Sequence, residues 1–99
     1  MWNLMNNGET IGRQGSESGC ITADEEYNDA CRITLEKGGV TAPYSITCGT
    51  YGLMVYTAFA GNSAEAKHKY GKMKEELQAF IDSDCTDCED WCERFIERW

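Results

Sequence analysis

Apolar side chains recur at every second position through much of the first sixty residues and at every third or fourth position after that. A period of two belongs to a strand with one buried face, and a period near 3.6 to a helix with one buried stripe. In the run 20–25, Ile21 and Ala23 alternate with Cys20, Thr22 and Asp24, which predicts a half-buried strand. In 30–36, Cys31, Ile33 and Leu35 share one face, and Arg32, Thr34 and Glu36 the other. Lys37-Gly38-Gly39 ends that run, and Pro43 precedes the next, 44–50, where Tyr44, Ile46 and Cys48 alternate with Ser45 and Thr47. These two runs are read as hairpin partners. Gly49 and Gly52 bracket a reversal, after which 53–60 is apolar at nearly every position, the pattern of a central strand covered on both faces. A short edge strand is also read at 9–13, before the turn-forming Gly15, Ser16, Ser18 and Gly19.

Gly61-Asn62-Ser63 closes the strand half, with Asn62 placed as an N-cap and Glu65 three residues on. Ala66, Tyr70, Met73, Leu77, Phe80 and Ile81 then form one helical stripe. Gly71 lies inside this stretch at a cost of about 1 kcal/mol relative to Ala, for which close packing against a neighbour is the expected reason. Thr86 and Glu89 repeat the capping pattern before a second stripe of Cys88, Trp91, Cys92, Phe95, Ile96 and Trp99. The fold class expected is α+β: an antiparallel meander of four to five strands over residues 9–60, packed by a long helix at about 63–82 and a short C-terminal helix at about 87–98, in a single domain spanning 1–99.

Charge narrows the list of partners. Seventeen acids against nine Lys and Arg give a net charge of -8, which repels nucleic-acid phosphates and anionic membranes and favours a basic protein. No apolar run approaches the ~20 residues of a membrane-spanning helix. The first residues, Met1 to Asn7, lack the cationic and apolar regions of an export signal, so a cytoplasmic location is expected, with the six cysteines reduced.

Cys85, Cys88 and Cys92 form the most specific spacing in the chain. On a helix they fall on one side and supply three of the four ligands a tetrahedral zinc site needs, with Cys48, Cys31 or His68 as the fourth. The competing account makes Cys88 and Cys92 small apolar members of the terminal stripe, and it is preferred because no second ligand pair is present. The acids around these thiols raise thiol pKa values and oppose nucleophilic activation. No other cofactor is expected.

Residues 82–93 hold six acids and no base, whereas Lys67, His68, Lys69, Lys72 and Lys74 occupy a stretch free of acids. The leading functional expectation is a non-enzymatic binding or regulatory module, of the inhibitor or antidote kind. It would steer a basic protein with Asp84, Asp87, Glu89 and Asp90 and bury Trp91 or Trp99 against it. The alternatives are a metal-binding protein using the three C-terminal cysteines, and a small ligand-binding domain or enzyme with a site near Tyr44, Tyr56 and His68. His68 is the single histidine, and no serine sits in a nucleophile elbow. A homodimer through the sheet edge or terminal helix is a further expectation.

Overall fold

The computed structural model describes residues 2–83 and 88–99. Five strands, β1 (Trp2–Leu4), β2 (Cys20–Tyr27), β3 (Cys31–Lys37), β4 (Tyr44–Thr50) and β5 (Met54–Ala60), form one antiparallel sheet in the order β1-β2-β3-β4-β5. Helix α1 (Ser63–Asp82) lies over β3, β4 and β5, and α2 (Cys88–Arg98) follows. The α+β class is therefore as expected.

Strands β3 and β4 pair in full register, Cys31 opposite Thr50 through Lys37 opposite Tyr44. This puts Cys31, Ile33, Leu35, Ile46 and Cys48 on the helix side, where they meet Met73, Leu77 and Phe95 in the core. Asn62 caps α1 by accepting the Glu65 amide at 2.8 Å. Toward β1 and β2 the contact turns polar. Trp2 donates to Gln78 (3.0 Å), Tyr27 to Asp82 (2.6 Å) and Tyr70 to Glu25 (2.7 Å), while Lys74 reaches both oxygens of Glu25 (3.0 and 2.9 Å). An apolar stripe thus presses α1 onto the sheet, and a row of directional bonds fixes its position along the strands.

The structure corrects four local readings. Residues 9–13 are turns, and the first strand is instead β1, with Trp2 opposite Tyr27. Gly8 and Gly12 both adopt positive φ, which winds this stretch rather than extending it. Second, Ile21 and Ala23 do not share a face. A bulge between them shifts the register, so Ile21 stands beside Glu36, Ala23 beside Leu35 and Asp24 beside Thr34. Third, β5 is an edge strand, with one face covered: Ala58 and Ala60 are buried, whereas Val55 is 79% exposed and Phe59 is also exposed.

Fourth, no neighbour explains Gly71. A Cβ there would meet nothing within 4 Å apart from the helix's own backbone, so the residue carries only its conformational cost. Gly71→Ala is expected to raise the unfolding free energy by about 0.5–1 kcal/mol, measured as a higher urea midpoint at unchanged slope. A loss of stability would show that the position has a packing role. Among the described residues no helix is long and apolar enough to cross a membrane.

Candidate functional site

Helix α2 is strongly amphipathic. Cys92 and Phe95 are buried on its inner side, and Trp91 and Trp99 are half-buried there. Trp91 stacks on Phe80 (4.1 Å between ring centres) and on Phe95 (5.1 Å), and the Trp99 indole donates to Glu76 at 2.6 Å. Arg98 pairs with the same Glu76 carboxylate. Both tryptophans expected at a partner surface are thus engaged with α1. Of the acids named with them, Glu89 and Asp90 are exposed, and Asp90 pairs with Arg94 at 2.8 Å. Asp84 and Asp87 lie outside the described residues.

The outer side of α2 presents a row that includes Glu89 of that set and adds Glu93 and Glu97. Glu89, Glu93 and Glu97 follow one another at four-residue spacing, all exposed, with Ile96 40% exposed beside them. None of the three carboxylates is in an ion pair among the described residues. Like charges four apart on a helix cost a few tenths of a kcal/mol per pair. Glu97, in the last turn, also opposes the helix dipole. The spacing itself was the available signal, since i, i+4, i+8 places three residues along one flank.

Cys88 is half-buried and Cys92 buried, while Cys85 lies outside the described residues. Burial pushes the Cys31 thiol up to about 11. Burial, together with the nearby Cys31 and Cys92 thiols, pushes Cys48 up to about 12. Cys31 and Cys48 are therefore protonated at neutral pH and serve as small core residues. Among the described residues no group of three His, Cys, Asp or Glu side chains is arranged to hold a metal ion. His68 is exposed on α1, and Tyr44 and Tyr56 pack against the core, Tyr56 edge-on to Phe95 at 6.3 Å.

The sheet face away from the helices carries charge that alternation alone would assign to solvent. Asp24 lies on this face beside Thr34, where it is fully buried. Arg32 Nε and Nη2 grip its two oxygens at 2.8 and 2.6 Å, and Thr34 donates to it at 3.0 Å. Burial alone would raise the Asp24 pKa, but the bonds from Arg32 and Thr34 outweigh it and hold the carboxyl below its ordinary value. Glu36 is 1% exposed and accepts the Glu17 and Gly19 amides at 3.2 and 3.1 Å, so it anchors the loop 15–19 over the sheet. Gly15 lies so close that an added Cβ would come within 2.2 Å of the Glu36 carboxyl carbon. Comparison with protein-family models, curated proteins and solved structures finds no match to this chain.

Proposed function

We propose that this protein is a non-enzymatic binding module that captures a basic protein through the outer face of α2. The observation that carries this reading is the exposed row Glu89, Glu93 and Glu97 beside Ile96. Carboxylates that repel one another along a helix flank become favourable when a cationic surface covers them, and long-range attraction raises the rate of encounter. Ile96 supplies the apolar contact that charge alone lacks, in the place first given to Trp91 and Trp99. The net charge of -8 acts in the same direction. Asp84 and Asp87, next to this helix in sequence, add to the acidity of the segment.

The test compares two triple variants of equal net charge, E89Q/E93Q/E97Q on α2 and E9Q/E65Q/E75Q elsewhere, in native capture followed by association kinetics with the purified captured protein. The α2 set is expected to slow association about tenfold or more at low salt, and the control set to leave it nearly unchanged. Equal capture and equal rates for the two sets would reject the reading.

A further inference from the structure

The open face of the sheet contains a cleft of about 790 Å³, between the loop 10–16 and the β4–β5 hairpin. It lies across the sheet from both helices and takes no part in the α2 surface. Pockets of some 300–1,000 Å³ are typical of small-molecule sites, in which apolar walls supply affinity and a few polar groups fix orientation.

Three features of its construction define an occupant. Ile21, Leu53 and Val55 form apolar wall, of which Leu53 and Val55 are 40% and 79% exposed, a free-energy cost that a ligand would remove. Two of the chain's nine Lys and Arg, Arg13 and Arg32, line the same cleft. Arg13 has no ion pair among the described residues, and Arg32 gives Asp24 only Nε and one Nη2 bond, which leaves its Nη1 hydrogens without a protein acceptor there. The one carboxylate in the lining, Glu36, is turned to the loop amides. Gly49, opposite Arg32 on β4, keeps the space beside the guanidinium open, because it sends no side chain across the sheet. Asp24 holds Arg32 in one orientation, as an orienting carboxylate does in an anion site.

We infer that this cleft binds a small organic carboxylate with an apolar body, its charged end at Arg13 and Arg32 and its body against Ile21, Leu53 and Val55. An anion is favoured locally even though the whole chain is acidic, because Arg13 is the lining cation without an ion pair among the described residues and Arg32 keeps Nη1 hydrogens to offer, while the Glu36 carboxylate is occupied by backbone amides. The apolar requirement separates this ligand from inorganic anions, and the charge separates it from neutral amphiphiles.

Octanoate is the probe, titrated calorimetrically into the full chain, with 1-octanol as the uncharged counterpart. The expected result is one octanoate per chain, at least about tenfold tighter than octanol. Arg13→Gln removes one cation from an exposed loop position, and Val55→Glu places a like charge on the exposed wall. Each is expected to weaken octanoate about tenfold while the melting midpoint without ligand stays unchanged. Absence of binding at millimolar octanoate, octanol binding as tightly as octanoate, or undiminished binding in either variant would overturn the inference. All of these outcomes are independent of partner capture by α2.

Discussion

Arg32→Gln is expected to destabilise the protein by about 2–3 kcal/mol at pH 7, read from urea unfolding. The side chain removed is 37% exposed, but the partner left behind is not, since the Asp24 carboxylate has no exposed surface. Removing one member of a fully enclosed pair costs about 3–5 kcal/mol, nearly all of it from the uncompensated charge that remains. Water reaching the vacated Arg32 position lowers that cost here. The pH dependence identifies the cause. In the native protein the Asp24 pKa is held below 3.8, so its contribution to stability is present above about pH 4 and is lost as the pH falls through the folded value. Without Arg32, burial dominates and the carboxyl pKa is raised, so the variant loses stability as pH rises from about 4 to 7. The gap between the two proteins should therefore be small near pH 4 and widest near pH 7. Adding Asp24→Asn removes the stranded charge and should recover part of the loss. A gap that does not change with pH would mean that the ion pair is not the cause.

The same pair marks where the sequence stops being readable. Regular alternation in β3 and β4 predicts their faces, and their pairing follows, because each strand has one continuous apolar side. β2 looks equally regular, yet its register shifts between Ile21 and Ala23, where Gly12 donates to the Ile21 carbonyl and Ile21 donates to that of Arg13. That bulge depends on a segment nearly ten residues away and leaves no mark in the local pattern. For the same reason Asp24 and Glu36 read as solvent-facing: only the fold brings the loop 9–19 over them. Val55 and Phe59 read as core because they are apolar, but whether a face is covered is decided by the layer placed on it, and here the helices lie on the opposite side.

The helices were more legible, since their faces are set within one element. Asn62, the stripe from Ala66 to Ile81 and the buried side of α2 all stand where spacing puts them. Glu65 pairs with Lys69 four residues on, whereas Glu76, at the same spacing from Lys72, takes Arg98 and Trp99 from α2, and Lys72 turns to Glu75. The tryptophans show how composition can mislead where geometry does not. Trp91 shares the inner side of α2 with Cys88, Cys92 and Phe95, so helical spacing already assigns it to packing, and the acids at 89, 93 and 97 to solvent.

Phe95→Ala is expected to cost about 3–5 kcal/mol, the range for deleting a buried aromatic side chain, out of the roughly 5–15 kcal/mol that holds a domain of this size. Phe95 has no exposed surface, and it joins three elements: it meets Tyr56 of β5 edge-on at 6.3 Å and stacks on Trp91, which in turn stacks on Phe80 of α1. Eleven residues are too few for a stable isolated helix, so α2 persists by docking, and Phe95 is its largest fully buried side chain in that contact. The loss should therefore be uneven. Amide exchange in residues 92–98 should speed up by more than exchange in β3 and β4, because α2 opens before the sheet does. Phe95→Leu keeps most of the buried volume and should recover most of the stability and protection. If α2 and β3 instead lose protection by equal amounts in Phe95→Ala, the terminal helix and the sheet form one cooperative unit. A partner that grips Glu89, Glu93 and Glu97 would then be pulling on the whole fold and not on a detachable helix.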